Sequence, residues 1–336
     1  MIFIDLSESQ LKQYINAEQV LQSWRNSEER AKSYRGGMIW REQKGNDYLV
    51  KTGPDASQRG VGVRSDLTEK IYLDFIAGKR AAQDALVIAT KVKAETERMN
   101  KALRLGRCPN VIVDILDTLH KARLSGNFMV IGTNALYAYE AHAGVRFEDD
   151  ITATVDVDFL WDSRKQIAIS VSEEIRNEGF LGLLKKADPS FRMLPDQPYS
   201  ASNAGGYIVD LIKRRPKSLY DDREAQQLFP NPDDFWAAKI HNMDWLLSAP
   251  KFTQTVISLN GKFTNMTVPD PRAFVLFKIW MARQESREPT KKPRDLKQAR
   301  AMLKLIEERM PHLDFAKLHV FPESLRSPIL NSNAAP

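Results

Sequence analysis

The stretch Thr152-Ala-Thr-Val-Asp156-Val-Asp158-Phe-Leu160 places two aspartates one residue apart inside a β-branched, apolar run. On a strand, side chains two positions apart point to the same face, so Asp156 and Asp158 stand side by side while Val157 and Phe159 face the core. Two neighbouring negative charges are unfavourable unless a cation lies between them. Carboxylate oxygens are the usual ligands of hard divalent metals, which most often serve phosphoryl or nucleotidyl transfer. The stretch therefore predicts a strand that carries a metal site.

Composition indicates a folded, soluble chain with a mildly basic balance. The 336 residues suggest two or three domains, and a hydrophobic share of 43% is ample for packed cores. The formal net charge of +6 suits an anionic partner such as a nucleotide or nucleic acid, and a solvated basic surface explains it equally well. Cys108 is the only cysteine, which excludes an intrachain disulfide, and the histidines lack a paired metal spacing. No apolar run approaches 18 residues and no signal-peptide pattern is present, so we expect a cytoplasmic protein without membrane contact.

The pattern along the chain changes twice, near residues 105 and 216. Residues 1–105 indicate a polar helix, a short hairpin, a glycine-rich charged loop over 53–64 and a long helix that opens on the capping box Asp66-Leu-Thr-Glu69. Residues 106–216 alternate strands and helices, and residues 217–330 are mainly helical around one hairpin. We therefore expect an α+β fold, with a small mixed β-sheet core over 106–216 flanked by helices and a helical C-terminal domain. Residues 1–105 suggest an acceptor-binding or dimerising element.

The individual elements of the central and C-terminal parts follow from hydrophobic periodicity and turn residues. Strands are expected at Phe128–Ile131, Asp156–Leu160, Phe191–Leu194 and Tyr207–Ile212, and in a hairpin of Thr255–Leu259 with Lys262–Val268. Helices are expected at Val111–Leu124, Asn134–His142, around Ile167–Gly179, at Pro271–Gln284 and at Arg294–Met310.

Two further features belong with the aspartate pair. Gly132-Thr133 stands at the junction of a buried strand and a helix, where glycine permits close backbone approach and the helix N-terminus offers unpaired N–H groups. Such a turn suits a triphosphate, and an ordinary helix start explains it as well. Asp210 interrupts the β-prone run Gly205–Ile212, where strand propensity disfavours an acid. If the two acidic strands are neighbours, three carboxylates converge and can hold two Mg²⁺ ions, with Mn²⁺ as an alternative.

The order Gly132-Thr133, then Asp156-x-Asp158, then Asp210 on a later strand resembles the polymerase-β-like nucleotidyltransferase superfamily. The resemblance implies that Gly132 and Thr133 contact the β and γ phosphates of a nucleoside triphosphate. It also implies that Asp156 and Asp158 bind metal, and that Asp210 binds metal and acts as base toward an incoming hydroxyl. The gap between the turn and the first acid is longer than is common there, which implies an inserted loop around Ala143–Ile151. Threonine replaces the more usual serine, and both offer a hydroxyl.

A closer resemblance covers most of the chain. The segments Tyr34–Trp40, Gly132–Glu140, Thr154–Phe159, Val268–Phe274 and Pro293–Ala299 are similar to a bacterial group of stand-alone nucleotidyltransferase-fold proteins of largely unassigned substrate. The C-terminal pattern is similar to the AbiE-type toxin nucleotidyltransferases, and consists of Lys278, Arg287, Lys291, Lys292 and Asp295. This second likeness implies that the helical half closes over the nucleotide, and that an antitoxin partner is one option.

The residue types support part of this interpretation. Lys278 interrupts the apolar run Phe274–Met281, and a lysine in such a helix needs a reason. Lys278, Lys291 and Lys292 are candidates for holding the negative charges of a triphosphate, although the last two suit a solvated surface equally. Asp295 suits a helix cap or a lysine partner, with a supporting catalytic role as the alternative.

We therefore expect a metal-dependent nucleotidyltransferase that moves a nucleoside monophosphate from a triphosphate to a hydroxyl acceptor and releases pyrophosphate. The acceptor stays open among an RNA or tRNA 3′ end, a protein side chain and a small molecule. Two alternatives remain, a catalytically silent nucleotide- or nucleic-acid-binding module and the toxin component of a toxin–antitoxin pair. The sequence also leaves open a homo-oligomer.

Overall fold

The computed structural model describes residues 2–165, 173–216, 227–229, 231 and 233–332. Residues 12–103 form one compact unit, and residues 1–11 together with 104–336 form a second, larger one. The three-part domain division stays a prediction. The first ten residues of its last part, 217–226, lie outside the described residues.

The smaller unit combines helices with a small antiparallel sheet. It contains most of α1 (Glu8–Ser33), the strands β2 (Gly37–Gln43), β3 (Asn46–Thr52) and β4 (Gln58–Val63), and the long helix α2 (Asp66–Ala102). The expected loop over 53–64 is wrong in its second half, because β4 pairs with β3 there. The capping box lies one residue earlier than expected, since the Ser65 amide donates to the Thr68 hydroxyl at 2.8 Å and the Thr68 amide donates to the Ser65 hydroxyl at 3.4 Å.

The larger unit holds the remaining elements. In chain order they are β1 (Phe3–Asp5), α3 (Asn110–Lys121), β5 (Phe128–Ile131), α4 (Leu136–Ala143), β6 (Val145–Phe147), α5 (Asp149–Thr152), β7 (Asp156–Trp161), α6 (Glu173–Ala187), β8 (Arg192–Leu194), β9 (Gln197–Ser202), β10 (Ile208–Arg214), β11 (Ala238–Ile240), α7 (Met243–Ser248), β12 (Lys251–Ile257), β13 (Phe263–Pro269), α8 (Pro271–Arg283), α9 (Lys291–Arg309) and α10 (Glu323–Ser332). The helix expected around 167–179 falls partly on 167–172, outside the described residues, and its described part runs on to Ala187.

A mixed sheet forms the centre of this unit. Its described strands lie in the order β5–β7–β10–β9–β8, with β11 parallel to the end of β10. β5 is antiparallel to β7, whereas β7 and β10 are parallel neighbours. Val157 and Phe159 on β7, and Val209 and Leu211 on β10, are fully buried. Because strand side chains alternate, the acids between them point to the opposite face.

Aromatic rings fill the core on the buried face of the sheet. Phe180 of α6 stacks on Phe128 at 5.4 Å between ring centroids and contacts Phe235 edge-on at 5.3 Å, and Phe159 lies 6.3 Å from Phe180. These contacts hold β5 and β7 against α6. The architecture is a mixed α+β fold of small sheets flanked by helices, as the sequence predicted. Among the described residues, no helix combines the length and the apolar character needed to cross a membrane.

The expected inserted loop around Ala143–Ile151 is wrong, because this segment is folded. β6 pairs antiparallel with β1, and α5 follows before the chain enters β7. Arg107 stabilises the segment by donating to Glu140 Oε1 at 2.7 Å, to the Phe147 carbonyl at 2.8 Å and to Asp149 Oδ1 at 2.6 Å. This segment therefore packs onto the unit directly before the aspartate strand.

Candidate functional site

The parallel pairing of β7 and β10 brings the three predicted aspartates together. Asp210 is the direct register partner of Asp158, and Asp156 lies two residues earlier on β7. All three are half-buried, on the sheet face opposite the buried Val157 and Val209. The backbone arrangement that the sequence left conditional is therefore present. The metal-binding and catalytic roles of these residues stay predictions.

The three carboxylates interact with neighbouring hydroxyl groups and repel one another. The Thr154 hydroxyl donates to Asp156 Oδ1, and the Ser200 hydroxyl, opposite Asp210 on β9, donates to Asp210 Oδ1 at 2.5 Å. Burial, together with the Asp210 and Asp156 carboxylates, raises the pKa of Asp158 to about 7. Burial also raises the pKa of Asp210, and the Asp156 carboxylate adds to that rise. Crowded, partly desolvated carboxylates of this kind favour a bound cation.

The chemistry of this donor set fits Mg²⁺ or Mn²⁺, since carboxylate oxygens are the ligands that hard divalent cations prefer. In the part of the chain that the structure describes, no group of three or more His, Cys, Asp or Glu side chains is arranged so that it could hold a metal ion. The hydrogen bonds from Thr154 and Ser200 orient two of the three carboxylates toward hydroxyls. A metal at Asp156, Asp158 and Asp210 therefore requires side-chain rotation, and it stays a prediction.

Gly132 lies closely against Asp158. The β5–β7 register sets Ile131 opposite Asp158, and the next residue, Gly132, has φ of +68°. A Cβ at Gly132 would lie 2.5 Å from Asp158 Oδ2. Both the backbone conformation and the space therefore require glycine. Helix α4 begins at Leu136 after a 3₁₀ turn over Gly132–Ala135, two residues later than predicted.

Thr133 is connected to helix α9. Its hydroxyl accepts hydrogen bonds from Gln298 Nε2 at 3.1 Å and Arg294 Nη2 at 3.3 Å. Gln298 also donates to the Ile151 carbonyl at 2.8 Å, and Arg294 donates to the Ala153 carbonyl. The two side chains thus join the glycine–threonine turn to the chain that enters β7. Sequence reasoning assigned neither of them a role, and the available signal was their i, i+4 spacing on one helix face.

A buried ion cluster connects α8 and α9 beside Asp158. Lys278 Nζ donates to Asp295 Oδ1 at 2.8 Å, and Arg287 Nε donates to Asp295 Oδ2 at 2.7 Å. Burial lowers the pKa of Lys278. Burial acts to raise the pKa of Asp295, but Lys278 and Arg287 together bring it below its ordinary value. Asp295 is therefore a lysine partner rather than a helix cap, since α9 already begins at Lys291. Arg287 belongs to the quoted motif, but it was not among the predicted site residues.

These groups line a cavity of about 200 Å³. Its polar lining consists of Gly132, Asp158, Lys278, Arg287 and Asp295. Its apolar lining includes Ile212, Ile240, Leu246 and Phe277. Asp158 thus shares one cavity with Lys278 and Arg287, whereas Asp156 and Asp210 are not among its lining residues.

Lys291 and Lys292 occupy the first turn of α9. Lys291 Nζ lies 3.1 Å from Glu288 Oε2 at the surface, and Lys291 lines a cleft of about 620 Å³ together with Arg287. The positive charge of Lys291 partly offsets the rise in the pKa of Asp210, so Lys291 acts electrostatically on the aspartate site. Lys292 is half-buried and lines neither of these two cavities. The structure therefore relates Lys291, but not Lys292, to the aspartates.

Carboxylates on adjacent parallel strands, beside a glycine turn and a buried lysine, are typical of enzymes that act on phosphate-bearing substrates. The model of a nucleotidyltransferase family matches residues 110–319, which are more than half of the chain and include every predicted site residue. The chain therefore belongs to the nucleotidyltransferase family. This membership supports nucleotidyl transfer in general and a nucleotide as substrate. No curated protein and no solved structure compared with the chain gave a match.

Proposed function

We propose that this protein is a metal-dependent nucleotidyltransferase that moves a nucleoside monophosphate from a triphosphate to a hydroxyl acceptor at Asp156, Asp158 and Asp210. The observation that carries the proposal is the parallel register of β7 and β10, which sets Asp210 directly beside Asp158. Family membership supports the reaction class. The three acids sit on two paired strands, so their backbone positions are defined more tightly than loop residues would be.

Mg²⁺, or Mn²⁺ in its place, would be held by the carboxylates of Asp156, Asp158 and Asp210. When bound, the metal supplies Lewis-acid polarisation of the reacting phosphate and neutralises developing charge. The chain contributes the donor oxygens and the crowding that favours a cation among them. Thr154 and Ser200 hold two of the carboxylates by hydrogen bonds that metal binding would exchange.

The triphosphate in this proposal is anchored at Gly132 and Thr133 and by the buried cations. Gly132 brings the backbone close to Asp158 without a side chain between them. Lys278 and Arg287 line the chamber that Asp158 also lines, and Lys291 lines the adjoining cleft with Arg287. Positive groups near a substrate with about four negative charges orient it and hold it in place.

Asp210 is our candidate base for the proton of the acceptor hydroxyl. The Ser200 hydroxyl donates to its Oδ1 at 2.5 Å, a hydrogen bond that metal binding would exchange. An RNA 3′ end is our first candidate acceptor, because the chain carries a formal net charge of +6. A protein or small-molecule hydroxyl is the other outcome of the test.

The test incubates the protein with each α-labelled triphosphate and Mg²⁺, in separate reactions with total cellular RNA, protein lysate or a metabolite extract. We expect one fraction to become labelled, with release of pyrophosphate. The variant Asp156→Ala with Asp158→Ala should label nothing. The matched control removes two exposed acids outside the aspartate cluster instead, Asp196→Ala with Asp233→Ala, and should label normally.

A nucleotide-binding module without turnover is the alternative. Titration calorimetry of a non-hydrolysable triphosphate, with and without Mg²⁺, separates the two. Binding that is independent of metal, equal in the double aspartate variant and accompanied by no pyrophosphate release with any acceptor mixture would contradict the transferase proposal.

A further inference from the structure

Helix α2 carries an exposed apolar stripe on the side away from the core of its unit. Its buried residues include Phe75 and Ala82, which at 100° per residue share one helix face. The opposite side exposes Leu73 by 62%, Val87 by 70% and Ile88 by 64%. An exposed apolar stripe of this kind marks an interaction surface.

Two pairs of residues on this side of α2 are arranged symmetrically about position 82. Arg80 and Asp84 lie equally far before and after it, and Ile76 and Ile88 form a second such pair. In a two-fold antiparallel helix pair, residues equally far from the axis on either side meet at the same height. In such a pair, each of these residues therefore meets its symmetry mate on a second copy of the helix at the same height.

The charges at the centre are complementary under that symmetry. Within one chain Arg80 Nε and Asp84 Oδ2 are 4.0 Å apart, and the two side chains are 85% and 69% exposed. In the antiparallel pair, Arg80 of each copy faces Asp84 of the other, which gives two reciprocal ion pairs. Farther out, Asp66 faces Arg98 in the same way. In a parallel pair like charges would face each other, so the charges select the antiparallel arrangement.

The apolar residues flank this charged centre. The helical periodicity puts Ile76 beside Val87 of the second copy, and Ala77 beside its Ile88. Leu73 meets the aliphatic stem of Lys91, whose charge can still reach solvent. The contacts from Leu73 to Lys91 cover about 27 Å of helix length at 1.5 Å per residue.

We propose that this face of α2 is an antiparallel, two-fold interface between two copies of the chain. The interface lies within the smaller unit and does not depend on the proposed transferase function. It uses the same patch on both copies, so the assembly closes as a dimer.

The test is sedimentation velocity of the full chain over a concentration series, with charge variants on α2. Asp84→Lys sets two lysines opposite Arg80 and should raise the dimer dissociation constant about tenfold. The double variant Arg80→Glu with Asp84→Lys restores the reciprocal pairs and should return to near the original constant. The matched control is Asp74→Lys, which makes the same charge change on an exposed position beside the face. Circular dichroism checks that all variants keep their helix content.

Cross-linking provides a second readout. Ala81 lies close to the two-fold axis, so Ala81→Cys should be joined to its copy by a short bis-maleimide, whereas Asp74→Cys should not. The native Cys108 is 1% exposed and should not react. A chain that stays monomeric at its highest soluble concentration would overturn the proposal. So would a dimer that Asp84→Lys and Asp74→Lys weaken equally, or one that the charge-swapped double variant fails to restore.

Discussion

Gly132 packs directly against the side chain of Asp158, since a Cβ on this glycine would lie 2.5 Å from Asp158 Oδ2. The φ of +68° at Gly132 adds a second constraint on the same position. Close packing of backbone against carboxylate makes the turn part of the aspartate site rather than a neighbouring loop.

Gly132→Ala should therefore lower the free energy of unfolding by about 1–3 kcal/mol, because it introduces both a clash and a strained backbone. It should also reduce transferase activity at least tenfold, by about the rate cost of a misplaced reacting group. Chemical denaturation and initial rates measure the two effects. Gly126→Ala is the matched control, since a Cβ there meets no atom within 4 Å, and it should leave both quantities unchanged.

The buried cluster of Lys278, Arg287 and Asp295 predicts unequal costs for its members. Asp295→Asn leaves two cations without their carboxylate and should lower the free energy of unfolding by about 3–5 kcal/mol. Lys278→Met leaves Asp295 paired with Arg287 and should cost less. Lys291→Met, which breaks only a surface pair with Glu288, should change stability by less than about 1 kcal/mol. Urea denaturation of the three variants provides the measurement, and equal losses for Asp295 and Lys291 would contradict the prediction.

Gln298 should hold the glycine–threonine turn in place through its hydrogen bond to the Thr133 hydroxyl. Gln298→Ala removes the donors to the Thr133 hydroxyl and the buried Ile151 carbonyl, and should cost about 1–3 kcal/mol of stability. A turn released in this way should bind the triphosphate more weakly, which calorimetric titration measures. Gln13→Ala removes a buried side-chain hydrogen bond in the smaller unit, to Asn100 Oδ1 at 2.8 Å, and should bind normally. Equal binding by both variants would show that Gln298 does not position the turn.

Because of Glu140, the free energy of unfolding should decrease as pH rises. Burial raises the pKa of Glu140 to about 7, against the opposing effects of Arg107 and the Phe147 amide. Between the ordinary value of 4.5 and about 7 the folded state binds the proton that the unfolded state has lost, so the free energy of unfolding decreases as pH rises. The contribution of Glu140 is fully present below pH 4.5, and up to about 3 kcal/mol of it is lost above pH 7.

Denaturation over that pH range tests this point through Glu140→Gln, which retains an acceptor oxygen for Arg107 and for the Phe147 amide. The difference in unfolding free energy between the variant and the native chain should widen from pH 4.5 to pH 7. A difference that stays constant with pH would mean that Glu140 is charged throughout.

The fold follows the sequence wherever the signal is local. Strands β5 and β7 and helices α2, α8 and α9 appear close to their predicted bounds, because each carries its own hydrophobic period or turn residues. Three of the missed strands lack such a signal. β4 contains Gly60 and Gly62, β9 contains Pro198, and β11 has three residues, so each is a strand only because a neighbour pairs with it.

The same distinction between local signals and long-range contacts applies to the residues of the candidate site. Asp156 and Asp158 share a strand face because side chains alternate along a strand, and Lys278 interrupts an apolar helix. The aspartate pair and the lysine can therefore be recognised from the sequence alone. Ser200, Arg294 and Gln298 cannot, because each acts through hydrogen bonds to residues at least ten positions away.

The sequence by itself determined which side chains share a face, since the periods of strand and helix depend only on local backbone geometry. It thereby determined the aspartate pair and the lysine in the apolar helix. Only the tertiary structure decided that β10 lies parallel to β7 with Asp210 beside Asp158, and that Asp295 pairs with both Lys278 and Arg287. Strand register and ion pairing between distant segments depend on how the whole core packs, which no local pattern contains.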